Sequence, residues 1–161
     1  MSRSSATLLV GALLLASAAV GDEVAVPRYH CQGEQVTGFT LNKKTQHWAA
    51  AKLPPKQYLI QAPDRSPDAP LIGRDSVLVV IEVGDGDWSD TRFCKQDFDP
   101  SGELHCSGWG DDFYFNRETG RFLRAFPHGY IEGANNPYYA EAGDAPPFIE
   151  IGRCAPLKTG N

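Results

Sequence analysis

The sequence predicts an all-β fold, an antiparallel sandwich or barrel built from two similar repeats with pseudo-two-fold symmetry and held by two disulfides. Three observations predict it. The 16 glycines and 12 prolines among 161 residues fall too closely together for long helices. Short β-type runs separated by turn signals recur along the chain. Four cysteines, Cys31, Cys94, Cys106 and Cys154, follow an N-terminal export signature.

That signature is read first because it must be set apart from the fold. Met1 to Thr7 is short and polar and carries Arg3. Leu8 to Leu15 is an apolar run, and Ala16-Ser17-Ala18 places small residues where a signal peptidase reads them. Residues 1–21 are therefore expected to be a signal peptide cut between Ala18 and Asp22, and 22–161 a single β domain in a secreted or periplasmic location. The apolar run is shorter than the roughly 20 residues a membrane helix needs, so no transmembrane segment is expected.

Charge narrows the partners. Without Arg3 the mature part carries 14 basic against 20 acidic residues, a net −6. The basic residues form no cluster, which argues against nucleic acid. The even cysteine count behind an export signal reads as two disulfides, and the absence of CxxC spacing argues against structural zinc.

The β runs follow in order. Arg28 to Cys31, Thr37 to Leu41 and Gln57 to Gln61 are expected strands. Ser76 to Val83 is the strongest, a β-branched run expected to be covered on both faces. Arg92 to Gln96, Leu104 to Cys106, Asp112 to Phe115, Arg121 to Phe126 and Phe148 to Cys154 complete the set. Asp99-Pro100-Ser101-Gly102 suits a type I turn with a Gly bulge, and Asn116 to Gly120 a similar turn. Ala62 to Pro70 and Glu132 to Pro147 read as irregular surface loops.

Self-similarity suggests how these runs assemble. His30-Cys31-Gln32-Gly33 recurs as His105-Cys106-Ser107-Gly108, and Phe39 to Trp48 recurs as Phe113 to Phe122. Tyr58-Leu59-Ile60 answers Tyr130-Ile131, and Ile81-Glu82-Val83-Gly84 answers Ile149-Glu150-Ile151-Gly152. The order is kept, so repeats of about 28–97 and 103–156 are expected. Three cysteine pairings are open; the duplication favours Cys31–Cys94 with Cys106–Cys154. Each bridge would close roughly 50 to 65 residues, on the order of 4 kcal/mol in the chain-entropy view. Each half alone would hold a marginal core, so a joint core is expected. Phe39, Trp48, Tyr58, Phe113, Phe115, Phe122, Phe126 and Tyr130 are its aromatic candidates.

Taken together, Tyr29-His30-Cys31, Gly38-Phe39, Trp48, Lys56-Gln57-Tyr58, Cys106, Phe113 to Asn116, Arg121-Phe122, Gly129-Tyr130 and Ile149 to Cys154 resemble a family of uncharacterised secreted proteobacterial proteins. The resemblance spans nearly all of the mature chain and implies a periplasmic or secreted location, with no assigned activity. A fainter similarity is to the c-type lysozyme inhibitors of the bacterial envelope, small disulfide-tied β-barrels opening on a Tyr-x-Cys strand. The segment nearest to their inhibitory Ser-Gly-x-x-Tyr motif is Ser101-Gly102-Glu103-Leu104-His105, which departs from it in having His105 in place of Tyr and is better explained as a hairpin turn.

No catalytic, cofactor or metal site is assigned. Asp85 to Asp90 and Asp97 to Gly102 place oxygen ligands alternately, as calcium loops do, but neither reaches a Glu at the twelfth position. Glu82 and Glu150 occupy matching places in the two repeats. They are either a carboxylate pair for glycoside chemistry or partners of an arginine such as Arg121 or Arg124. His30 and His105 adjoin cysteines and face away from them; His47 and His128 have no companion at ligand spacing. The chain has no GxSxG elbow. Trp88, Trp109, Tyr138 and Tyr139 lie outside the repeated blocks among Gly, Asp and Asn, and form the candidate binding surface. The preferred function is a non-enzymatic binding or interaction module whose partner is an envelope or extracellular protein. The rivals are a small hydrolase of envelope glycans or peptides, a lysozyme-inhibitor-like protein, and a barrel carrying a small apolar ligand.

Overall fold

The computed structural model describes residues 27–42, 44–45, 47–66, 73, 75–84, 91–108, 110–127, 130 and 146–158. The expected signal peptide lies outside them. Nine strands are described: β1 (Tyr29–Asn42), β2 (His47–Lys52), β3 (Gln57–Gln61), β4 (Leu78–Glu82), β5 (Thr91–Cys94), β6 (Glu103–Ser107), β7 (Asp112–Asn116), β8 (Arg121–Phe126) and β9 (Phe148–Pro156). All neighbours run antiparallel. From β3 to β9 each strand pairs with the next, and β9 returns to β1, which also pairs with β3. The result is an eight-stranded up-and-down barrel with β2 as an extra strand, and closure removes the sheet edge that an open β-sheet would expose.

The expected strands are present, with two differences at the start. Residues 28–31 and 37–41 belong to one strand, β1, and His47–Lys52 forms β2, which the sequence reading left out. β2 and β3 lie along the same edge of β1 in a single register: Thr37 faces Lys52 and Gln32 faces Gln57, so the intervening residues match without a slip. Pro54 and Pro55 stand in the gap. They have no N–H to donate, so the ladder opens there rather than ending. Gly33 N–H still donates to the Lys56 carbonyl at 2.8 Å. On its other edge β1 slips by one residue against β9 between Gly33 and Gln35, a bulge that sets Glu34 aside.

The turns follow their chemistry. Gly102 N–H donates to Asp99 O and Asp99 N–H to Glu103 O, both at 2.9 Å, with Gly102 at φ +81°, the expected type I turn with a Gly bulge. Asn116 Oδ1 accepts from Glu118 and Thr119 N–H, and Gly120 at φ +65° closes the loop. Asn42 Oδ1 likewise accepts from Lys44 and Thr45 N–H. The two matched sequence blocks thus form similar hairpins.

Beyond these hairpins the halves differ, and the favoured disulfide pairing is corrected. Cys31 bonds Cys154, and Cys94 bonds Cys106. Cys31 and Cys154 are directly opposed on β1 and β9, the closing seam. Cys94 and Cys106 join β5 and β6, whose ladder holds a single residue pair, Phe93 with Ser107. Cys31 sits on a 14-residue strand, Cys106 on a five-residue one, so they are not on equivalent elements. The physical reason is that a closed barrel brings first and last strands together, whatever likeness the halves keep.

Strand alternation sorts the side chains. Cys31, Ile60, Leu78, Cys94, Leu104, Cys106, Phe115 and Cys154 fill one end of the barrel, with Tyr29 and Phe98 packed against them. Tyr58, Phe113 and Phe122 stack in the middle, with ring centroids 5.0–5.6 Å apart. Leu78, Val79 and Val80 are all buried, so β4 is covered on both faces over those three residues, whereas Val77 and Val83 at the ends of the expected Ser76 to Val83 run are exposed and outside the strand. Phe126 is buried too, but two aromatic core candidates are not. Phe39 is 49 % exposed, because it lies past the last pairing of β1 with β9 at Gly38, and Tyr130, outside the strands, is 62 % exposed. Trp48 is half-buried, edge-on to Tyr130.

Candidate functional site

The other end of the barrel interior is charged. β5 turns Arg92 inward in phase with Cys94, and β8 turns Arg124 inward in phase with Phe122 and Phe126. β9 does the same with Glu150, and Asp111 enters from the β6–β7 turn. All four are buried, Glu150 to 1 % exposure. Asp111 takes Arg92 Nε and Nη2 at 2.9 and 2.8 Å and Arg124 Nε at 2.6 Å, all on Oδ2. Arg124 Nη1 donates to the Tyr58 hydroxyl at 2.8 Å, and that hydroxyl donates to Glu150 Oε2. Glu150 Oε1 accepts the Lys56 N–H at 2.8 Å. Glu82 lies 3.5 Å from Arg124 Nη1 and pairs with Lys56 Nζ at the rim.

Three cations thus meet three carboxylates, which is what allows charge inside a barrel at all. Burial opposes ionisation of Asp111, but the hydrogen bonds and charges of Arg92 and Arg124 outweigh it and hold its carboxyl below the usual range. Burial likewise opposes the Arg124 charge, and the Tyr58 oxygen and Asp111 reverse that. Burial pushes the Tyr58 hydroxyl well above its ordinary value; Arg124 pulls against this and Glu150 adds to it. Gly33 makes room for the network, since a Cβ there would collide with Glu150 Oε1.

Glu82 and Glu150 do converge, on Arg124, the arginine partner considered from sequence. Neither faces a cleft as a free pair: every Glu150 oxygen is occupied by a backbone or tyrosine donor. Arg92 and Asp111 were missed by sequence reasoning. The signal was available for the arginines. A charge standing in phase with aromatics, as in Phe122-x-Arg124-x-Phe126, or with a cysteine, as in Arg92-x-Cys94, is a buried charge.

Trp88, Trp109, Tyr138 and Tyr139, with Asp85 to Asp90 and His128, lie outside the described residues. The strands flanking each of those four aromatics (β4 and β5, β6 and β7, β8 and β9) meet at the charged mouth. Asp97 accepts its neighbour's N–H, and Asp99 Oδ1 accepts Ser101 N–H, Ser101 hydroxyl and Glu103 N–H, so both carboxylates serve the turn. Among the described residues no group of three or more His, Cys, Asp or Glu is placed to hold a metal. His105 pairs with Asp112 at 2.9 Å and stacks on Tyr114; His30 bonds Gln57. No described helix is long and apolar enough to cross a membrane.

Outside the barrel, a groove of about 970 Å³ crosses the face of β5 to β9. His105, Tyr114, Leu123 and Ile151 are successive cross-strand neighbours along it. Tyr114, Leu123 and Ile151 remain 45, 37 and 43 % exposed. No protein-family model matches the chain, and neither does any curated protein or solved structure.

Proposed function

We propose that this chain is an exported, non-enzymatic binding module whose partner is an envelope or extracellular protein. The observation that carries the reading is a filled barrel with paired interior charges beneath an exposed apolar row on its outer wall. Among the described residues the interior is packed with side chains, which suits a binding wall better than an apolar carrier, and carboxylates already bound to Arg124, Lys56 and Tyr58 are poorly suited to acid–base turnover. Contiguous exposed apolar surface on a closed barrel is the usual material of a protein contact.

Export is supported by the signal-like residues 1–21 and by two disulfides, which persist in oxidising compartments. Kinship with the uncharacterised secreted proteobacterial family rests on the residues quoted for it. Duplication of an ancestral hairpin is supported by the matched Asn42 and Asn116 turns. Trp88, Trp109, Tyr138 and Tyr139 stay as a second proposed contact region, since their flanking strands end at one mouth. The test is co-purification of the mature, oxidised protein from envelope extract. A stoichiometric protein partner is expected; turnover of envelope glycan or peptide that Glu82→Gln abolishes would overturn the reading.

A further inference from the structure

We propose that the groove over β6 to β9 docks an extended, acidic segment of the partner protein, with its carboxylates on Arg121 and Arg153 and its apolar side chains on Tyr114, Leu123 and Ile151. This rests on the binding-module reading and adds the site and the chemistry of what it takes.

Arg121 and Arg153 are directly opposed on β8 and β9, both outward and exposed. Like charges facing each other across an antiparallel pair are destabilising, so the arrangement calls for a counter-charge. One acid answers one of them: Glu34, the residue set aside by the β1 bulge, meets Arg153 Nε at 3.2 Å. The Arg121 guanidinium has no ion pair or hydrogen bond among the described residues. Its row continues through Asn116 to Glu103, two strands away and so about 10 Å off. Both arginines line the groove beside the apolar row.

The shape and the rest of the lining select the ligand. Crossing from β6 to β1 takes four strand spacings, about 19 Å, the reach of about six extended residues. A row of Tyr, Leu and Ile suits alternate apolar side chains of such a segment. Asp97, Asp99 and Glu103 line the β5–β6 margin and outnumber its one cation, Lys95. They would repel acidic groups there and so fix the segment's direction, acidic end over β8 and β9. The same acidic margin, on a chain of net charge −5, disfavours a phosphate polymer or an anionic bilayer, either of which would meet the whole face.

The experiment measures fluorescence anisotropy of a labelled octapeptide, leucine alternating with serine over six residues and ending in two glutamates, with the mature, oxidised protein. Binding is expected to fall at least about tenfold when the peptide glutamates become glutamines, and equally in the Arg121→Glu/Arg153→Glu variant, since charge-assisted pairs would be lost. That variant should gain affinity for the same peptide with lysines in place of its glutamates, which a merely unfolded protein would not do. Vesicles of phosphatidylglycerol and phosphatidylethanolamine form a second arm; binding them more tightly than the peptide overturns the proposal. So does equal affinity for the glutamate and glutamine peptides. If the double variant still captures the envelope partner undiminished, the groove is wrong and the binding-module reading stands; if wild type captures no partner at all, that reading falls as well.

Discussion

Cys31 on the first strand and Cys154 on the last face each other directly, so a single covalent bond locks the seam at which the barrel closes. The second bond, Cys94 to Cys106, spans the thinnest ladder, where β5 and β6 share one residue pair. Each therefore reinforces a place where hydrogen bonding alone would let the wall part.

The two bonds should differ in their effect. They close 123 and 12 residues of chain. In the chain-entropy view that is on the order of 5 and 3 kcal/mol. Replacing Cys31 and Cys154 together by Ala should lower the denaturation midpoint more than replacing Cys94 and Cys106. Guanidinium titration measures both, and non-reducing peptide mapping should recover Cys31 with Cys154; fragments linking Cys31 to Cys94 would refute the pairing.

Removing one member of the interior charge network should be costly. Arg124→Leu leaves Asp111 with Arg92 alone and takes from Glu82 and the Tyr58 hydroxyl their buried cationic partner, and is expected to lose about 3–5 kcal/mol of unfolding free energy. Tyr58→Phe deletes only the hydroxyl between Arg124 and Glu150 and should lose about 1–3 kcal/mol. Urea unfolding with a common slope checks the order.

Gly33→Ala should destabilise by more than a surface substitution, because its Cβ points at Glu150 Oε1 and at the Lys56 carbonyl. In a Glu150→Ala background the added cost should shrink, since part of the obstruction is gone. A double-mutant cycle with no coupling between positions 33 and 150 would show that the carboxylate is not the cause.

Stability should change with pH in two windows. The Asp111 carboxyl is held below its ordinary range when folded, so its contribution is complete above the unfolded value of about 3.9 and is lost as pH falls through the lower folded one. Asp111→Asn should flatten that acid limb. The Tyr58 hydroxyl is raised on folding, so its contribution is complete below about 10 and is lost as pH rises through the higher folded value. Tyr58→Phe should flatten the alkaline limb in the same series of melts.

Local chemistry was legible and closure was not. The Asp99 to Gly102 and Asn116 to Gly120 turns, and the run through Leu78 to Val80, follow from residues a few positions apart. The partners of Cys31 and Cys94 depend instead on which strands meet after the chain has gone once round, which similarity between halves does not determine. β2 went unread because the Ala49-Ala50-Ala51 stretch has low β preference and forms a strand only by lying along β1. Of the interior charges, Glu82 and Glu150 were noticed for their places in the repeats and Arg124 as a partner for them, whereas Arg92, marked only by its alternation with Cys94, was missed. Asp111 had no such signal: it sits in a turn, and its burial goes with its pairing to Arg92 and Arg124 on strands distant in sequence.

Arg28 and Leu157 are joined by a backbone hydrogen bond of 2.8 Å, so the chain enters and leaves the barrel at adjacent points. A short linker between them would yield a circular permutant opened at the Asp99–Gly102 hairpin with every strand pair intact. Because both points lie at the mouth opposite Arg92, Asp111 and Arg124, any anchor fused at either would present the charged end outward.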